Sequence, residues 1–179
     1  MPYNLIMESL NPDFQIDIKQ IPVTISLILI NVIVFILYVS KVLKTIPCNN
    51  TLTNGLFQTF IHANIEHLVF NMFGLLLTSR IEVQIGSKKY LGLVAIILGL
   101  DVAVETIIKQ IITIPCSVGI SGIIFGLLAY DCFKLKIFNW MDVIGLIAMM
   151  IVPTLTNPKA SLFAHGIGIL IGIVVSIFY

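Results

Sequence analysis

The sequence predicts an all-α membrane protein, built as one bundle of six transmembrane helices. Hydrophobic residues make up 58% of the 179 residues and charged residues only 11%, and the mean hydropathy is +1.06. Most of the surface therefore has to face lipid. Because a helix crosses the hydrocarbon core with roughly 20 apolar residues, the length allows about six crossings with short loops.

The first crossing is the apolar run Ile21–Ser40, which follows a polar segment over residues 1–20. That segment is too acidic for the start of a signal peptide, and no cleavage site follows the apolar run. Its charged residues are Glu8, Asp13, Asp17 and Lys19. We therefore predict a polar tail over residues 1–20 and a six-helix transmembrane domain over residues 21–179.

Five further apolar runs are separated by charged residues and by the loop formers proline, asparagine and glycine. The predicted spans are Ala63–Thr78, Tyr90–Ile108, Ser117–Phe133, Phe138–Val152 and Ser161–Tyr179. A loop is expected from Lys41 to about Gly55, and a charged turn from Arg80 to Lys89. Six spans place both termini on one side of the membrane.

The positive-inside rule selects that side. With the termini inside, six basic residues lie in the cytoplasm and four outside. The prediction is thus an integral, multi-pass protein of a bacterial plasma membrane with both termini cytoplasmic. The expected partners therefore include the lipid bilayer that surrounds the helices. Nucleic-acid binding is not expected, because the basic residues are dispersed along the chain and form no cluster.

The three cysteines, Cys48, Cys116 and Cys132, have neither paired metal-ligand spacing nor the even number of a disulfide scaffold. We interpret them as apolar packing residues, although Cys48 and Cys116 fall on the same side of the membrane. No metal or cofactor is expected, because no histidine has the second-shell pattern of a metal ligand.

Three chemically active residues fall at one predicted depth. His67, Ser121 and His165 each lie within about two turns of the start of an even-numbered span, and those spans all begin at the outer face. At 1.5 Å per residue, they lie roughly 5–10 Å below the outer boundary. A serine nucleophile needs a base within hydrogen-bond reach, which His165 could provide for Ser121.

Glycine pairs indicate how the helices of Ser121 and His165 could approach each other. Gly122 and Gly126 are four residues apart in the fourth span, and Gly168 and Gly172 have the same spacing in the sixth. His165 lies at i relative to Gly168 at i+3, so it is on the glycine face of its helix.

His67 and Asn71 are at i and i+4 and project from one face of the second span. Two donors aimed at one point could stabilise an oxyanion. Taken singly, each polar residue also has an ordinary interpretation. Ser121 could be a packing residue between glycines, His67 an interfacial residue, and Asn71 an interhelical hydrogen-bonding group.

Four stretches together resemble the rhomboid intramembrane proteases. Residues 62–71 resemble the family's pattern of His, four residues, His, three residues, Asn; residues 119–122 resemble its GxSG motif. Residues 164–172 resemble its AHxxGxxxG pattern, and residues 82–86 its Glu-x-x-x-Gly turn. The likeness covers roughly Phe57 to the C-terminus.

This resemblance implies a rhomboid-like bundle in which Ser121 is the nucleophile and His165 the general base. It also implies that His67 and Asn71 form an oxyanion hole with the Ser121 N–H. The structural motif residues it implies are His62, Gly119, Gly122, Phe125, Gly168 and Gly172.

The sequence also departs from the family. The loop after the first span lacks the Trp-Arg that many members carry, because the only tryptophan is Trp140 and the only arginine Arg80. The aromatic residue four positions after the nucleophile, often tyrosine, is Phe125, which can still pack against the His165 ring.

Two carboxylates, Asp101 and Glu105, share a face near the outer end of the third span and lie outside the family's motif. A third group orienting His165 is one interpretation; an interfacial pair near Lys109 is favoured. The charges of the Arg80–Lys89 turn are interpreted as solvated structural residues.

The predicted activity is that of a serine endopeptidase, which cleaves transmembrane protein substrates near the outer face through an acyl-enzyme. One alternative is a catalytically inactive rhomboid-like protein that binds membrane clients. Another is a small transporter relaying protons through His67, Asp101, Glu105 and His165. The chain shows no convincing internal repeat of the kind transporters often have.

Overall fold

The computed structural model describes residues 17–43, 51–112, 116–135, 144 and 162–179. Within these ranges it contains six α-helices and no strand. The helices are α1 (Pro22–Val39), α2 (Leu52–Gln58), α3 (Ile65–Ile85), α4 (Ser87–Ile111), α5 (Ser121–Tyr130) and α6 (Leu162–Phe178). The all-α fold class is thus confirmed.

Three of the described helices are long and apolar enough to cross a membrane: α1, α3 and α4. They correspond to the first three predicted spans, and α6 is a shorter apolar helix at the position of the sixth. Many large apolar side chains on these helices are exposed, as lipid-facing residues are. The fifth predicted span, residues 138–152, lies outside the described residues except for Ile144.

Two local features were not predicted. The short helix α2 occupies part of the expected loop before the second span, where the Thr51 hydroxyl accepts a hydrogen bond from the Asn54 N–H and caps the helix. Beyond α5 the chain continues as a π-helix over Asp131–Leu135. Elements as short as these cannot be predicted from the periodicity of hydrophobic residues or from the positions of loop-forming residues.

Helix α5 lies at the centre of the described bundle. Every residue from Gly122 to Tyr130 is buried, and α5 packs against α3, α4 and α6. Its contact with α6 is a glycine seam. A Cβ at Gly168 would overlap the carbonyl oxygen of Gly122, and a Cβ at Gly172 would overlap that of Gly126. The predicted small-residue seam is therefore present, because only glycine permits this backbone approach.

Glu82 connects α3 to the start of α1. Its carboxylate accepts hydrogen bonds from the backbone N–H of Val23 at 2.9 Å and of Thr24 at 2.8 Å. It also accepts one from the Thr24 hydroxyl at 2.8 Å. The first amides of a helix lack intrahelical partners, so a carboxylate from another helix stabilises this helix end.

The interpretation of the Arg80–Lys89 turn as solvated charge is wrong for its first half. Glu82 is completely buried, and Arg80 forms an ion pair with the buried Asp131. Lys88 and Lys89 are exposed, as expected. The partners of Glu82 and Arg80 are 50 or more positions away in the chain, so local sequence could not reveal them.

The interpretation of all three cysteines as packing residues is also wrong for one of them. Cys116, which precedes α5, is disulfide-bonded. Cys132 is buried in the π-helix that follows α5, as the packing interpretation expects. Cys48 lies outside the described residues. Cysteine spacing alone does not reveal which side chains the fold brings together.

Candidate functional site

Ser121 and His165 lie in direct contact between the central helix and the last one. Nε2 of His165 is 3.1 Å from Oγ of Ser121, within hydrogen-bond distance. Ser121 is the first residue of α5 and His165 is the fourth residue of α6. Each residue therefore lies in the first turn of its helix, and the two first turns are side by side. The glycine seam below them makes this approach possible.

The environment of the pair is mostly closed. His165 is 6% exposed and Ser121 is half-buried, so the serine oxygen retains some access while the imidazole is shielded. The rings of Phe125 and His165 lie with centroids 4.4 Å apart and planes at 35°. This contact restricts the orientation of the imidazole, as the helical spacing of Ser121 and Phe125 predicted.

The loop before Ser121 approaches the start of α3. Gly119 has a φ of +100°, a backbone conformation that favours glycine. A Cβ at Gly119 would lie 2.8 Å from Cε1 of His67 and 3.5 Å from Nε2 of His62. The Gly119 N–H donates to the carbonyl oxygen of Gln58 at 3.0 Å, which ties the loop to the end of α2.

His62 supports the ring of His67. Their centroids are 5.1 Å apart in an edge-to-face arrangement. His62 lies in the connection between α2 and α3 and is fully buried. Burial, together with the neighbouring His67, lowers the pKa of His62 to about 4, so its ring is neutral near pH 7.

Asn71 lies one turn after His67 on the same face of α3, and it is buried. One amide hydrogen of its Nδ2 is donated to the carbonyl oxygen of His67 at 2.8 Å. An amide nitrogen carries two hydrogens, so one donor remains available. The structure thus places His67 beside the Gly119 loop that leads into Ser121, with Asn71 deeper on α3.

The two carboxylates of α4 have different surroundings. Glu105 accepts hydrogen bonds from Nζ of Lys109 at 2.8 Å and from the Ser117 hydroxyl at 2.6 Å. The expected pairing of Glu105 with Lys109 is therefore present. Asp101, in contrast, is buried within the protein: it is 7% exposed and lies against Gly122, the residue after Ser121.

The described residues contain no group of three or more His, Cys, Asp or Glu side chains that could hold a metal ion. The side chains at the Ser121 site are those of acyl-transfer chemistry: a hydroxyl, an imidazole in contact with it, and further donors on a neighbouring helix.

Fold and site together define a helical, membrane-type protein with a serine–histidine pair held between two glycine-packed helices. The chain belongs to the rhomboid family: the sequence model of the Rhomboid domain matches residues 49–179. A protein of Acanthamoeba polyphaga mimivirus named "putative rhomboid protein" is 28% identical over 156 residues, covering 85% of this chain and 87% of the viral protein.

Proposed function

We propose that this chain is an intramembrane serine endopeptidase that cleaves transmembrane protein substrates near the outer face of the membrane. The observation that carries the proposal is the 3.1 Å contact between Nε2 of His165 and Oγ of Ser121. Such a contact lets the imidazole take the serine proton as the oxygen attacks a carbonyl carbon. Membership of the rhomboid family, which includes serine proteases, supports the same activity.

In the proposed reaction Oγ of Ser121 attacks the scissile carbonyl while its proton passes to Nε2 of His165. The tetrahedral intermediate collapses when His165 gives this proton to the leaving amine, and an acyl-enzyme remains on Ser121. Water then attacks the ester carbonyl, and His165 takes a proton from it. Return of that proton to Ser121 releases the carboxylic acid product and restores the dyad.

Negative charge develops on the carbonyl oxygen during both acylation and deacylation, and hydrogen-bond donors near Ser121 could stabilise it. Ser121 is the first residue of α5, so its backbone N–H has no intrahelical partner and lies at the positive end of the helix dipole. We assign the side chains of His67 and Asn71 to the same oxyanion hole. In a water-poor site each such donor is worth about 3 kcal/mol in the transition state.

The proposed setting is a bacterial plasma membrane, with six spans and both termini cytoplasmic. In this topology the helix starts that carry His67, Ser121 and His165 all lie towards the outer face. The partners are the lipid bilayer and the transmembrane segments that serve as substrates. No metal or cofactor takes part in the proposed chemistry.

Labelling and substrate comparison together test this function. In liposomes, a serine-directed fluorophosphonate should label the wild-type chain and fail to label Ser121→Ala. The membrane proteome of cells with active enzyme, compared with Ser121→Ala cells, should contain shortened membrane proteins. Absence of labelling and of cleavage products would favour an inactive, client-binding relative and would refute the proposal.

A further inference from the structure

The stretch of chain that leads into Ser121 is irregular. Residues 116–120, which we call the nucleophile segment, form neither helix nor strand, and Gly119 within it has a φ of +100°. Its last residue, Ile120, is apolar and offers no side-chain cap to α5. Irregular backbone between membrane helices persists only where the surrounding protein holds it. The position of the Ser121 hydroxyl and N–H therefore depends on what holds this segment.

Ser117 attaches the nucleophile segment to α4. Its hydroxyl donates to Oε2 of Glu105 at 2.6 Å, the length of a hydrogen bond from a hydroxyl to an ionised carboxylate. Hydrogen bonds of this charged kind are roughly twice as strong as those between neutral groups. Because Glu105 belongs to the preceding helix, the bond is a tertiary attachment of the segment and not a turn within it.

The carboxylate of Glu105 is held in place for this bond by its own helix. Nζ of Lys109, one turn further along α4, donates to the same Oε2 at 2.8 Å. Only 12% of the Glu105 side chain and 10% of the Lys109 side chain are exposed. An ion pair between residues four apart keeps both side chains on one face of the helix. The acceptor oxygen is therefore presented to Ser117 in a restricted position.

A second attachment of the segment leads to the same helix through α2. The Gly119 N–H donates to the carbonyl oxygen of Gln58, the last residue of α2, at 3.0 Å. Helix α2 in turn packs on α4, where a Cβ at Gly55 would lie 2.9 Å from Cγ1 of Val102. The absence of a side chain at Gly55 lets the two helices lie close together. Both attachments therefore connect the nucleophile segment to the second half of α4.

Helix α4 is well suited to support this segment, because it packs against each of the other five described α-helices. Its residues Leu93 and Ile97 are completely buried in the core of the bundle. Side chains held on such a helix are placed more precisely than side chains on loops. The hydrogen bond from Ser117 to Glu105 therefore fixes the segment relative to the bundle as a whole.

We propose that Ser117 and Glu105 are positioning residues for the proposed proteolysis. Through their hydrogen bond, α4 holds the nucleophile segment so that the hydroxyl and the N–H of Ser121 are in place for attack and for oxyanion stabilisation. The inference rests on the proposed function and gives a role to Glu105, which lies outside the rhomboid motif. A displaced Ser121 loses both functions together, and a displacement of about 1 Å can cost roughly 10² in rate.

Hydrogen exchange tests the attachment without relying on catalysis. The full chain is prepared in lipid, and amide exchange is followed by mass spectrometry in peptides that span residues 117–121. Ser117→Ala should speed exchange in this segment roughly tenfold, because a segment with one attachment fewer opens more often. Ser176→Ala is the matched control. Its hydroxyl donates at 2.6 Å to the Ile173 carbonyl within α6, so exchange over residues 117–121 should not change.

Kinetics separate positioning from a general loss of stability. With a transmembrane substrate in liposomes, Ser117→Ala should lower kcat roughly tenfold with KM unchanged. The pH dependence of kcat should stay in place, because His165 is not altered. Ser117→Thr keeps the hydroxyl and should retain most of the activity, whereas Ser117→Val, which has the same shape without the hydroxyl, should not. The Thr and Val variants also serve as the comparison if Ser117→Ala does not fold.

A double-mutant cycle tests whether Glu105 is the partner through which Ser117 acts. Glu105→Ala combined with Lys109→Ala removes the acceptor together with the cation paired to it, and in this background Ser117→Ala should not lower kcat further. An equal loss in both backgrounds, or unchanged exchange over residues 117–121 in Ser117→Ala, overturns the inference. Absence of fluorophosphonate labelling and of cleavage by the wild-type chain refutes the proposed function instead, and the exchange measurement still decides whether α4 holds the segment.

Discussion

Gly168 in α6 packs directly on the carbonyl oxygen of Gly122 in α5, and no side chain fits between the two backbones. Gly122 follows Ser121, and Gly168 lies one turn after His165. The depth of this seam therefore sets the separation of the serine and the imidazole. A change at either glycine is expected to act on the site and on the fold together.

Gly168→Ala should separate the two helices. Its Cβ would overlap the carbonyl of Gly122, and overpacking of this kind costs about 1–3 kcal/mol. We expect a lower melting temperature in detergent and loss of fluorophosphonate labelling at Ser121. Gly166→Ala is the matched control, because a Cβ there meets nothing within 4 Å. Equal behaviour of the two variants would contradict a seam that controls the site.

Ser121→Ala and His165→Ala should each abolish proteolysis while the protein stays folded. A nucleophile and its base act as one unit, so the double variant should be no worse than either single one. The measurement is cleavage of a transmembrane substrate in liposomes, with melting temperature as the control for folding. Turnover by purified Ser121→Ala, once contaminating protease is excluded, would end the serine-protease interpretation.

His67→Ala and Asn71→Ala should act on the transition state. Removal of one oxyanion donor lowers kcat by roughly 10²–10³ with little change in KM. Steady-state kinetics in liposomes with a transmembrane substrate separate the two constants. A change mainly in KM would reassign these side chains to substrate positioning. Asn71→Ala also removes the hydrogen bond to the His67 carbonyl, so its melting temperature is measured in parallel.

Glu82→Gln should destabilise the protein without touching the dyad. The carboxylate accepts three hydrogen bonds from Val23 and Thr24, and an amide nitrogen would face some of these donors instead. Leaving buried donors unsatisfied costs about 1–3 kcal/mol. The free energy of unfolding should fall by this amount, whereas Gln84→Ala, at an exposed position of the same helix, should change it little.

Substrate choice should depend on unwinding. If the Ser121 site lies below the outer boundary, a helical peptide bond must become extended before the serine can reach it. Gly and Pro weaken a helix by about 1 and 3 kcal/mol relative to Ala, so they should favour cleavage nearby. Replacing them with Leu in a cleaved substrate, with the scissile pair intact, should slow cleavage in liposomes. Unchanged rates across several substrates would show that unwinding does not select them.

The sequence alone determined the class of the protein and the residues of its candidate site. Apolar runs long enough to span a membrane predict helices, because lipid offers no hydrogen-bond partners and a helix satisfies the backbone N–H and C=O groups within the segment. The structure places helices at five of the six predicted spans, and the fifth span, residues 138–152, lies outside the described residues except for Ile144. The spacing of Gly168 and Gly172 from His165 indicated which face of the last helix meets its neighbour.

Only the tertiary structure decided where the isolated charges go. Arg80 and Glu82 were predicted to be solvated charges of a turn, yet each is held by a partner on another helix. The sequence left the roles of Asp101 and Glu105 open, and the fold separated them into a buried carboxylate and a paired one. Periodicity reports which face of a helix is apolar, but the partner of a charge depends on helix packing between residues far apart in the chain.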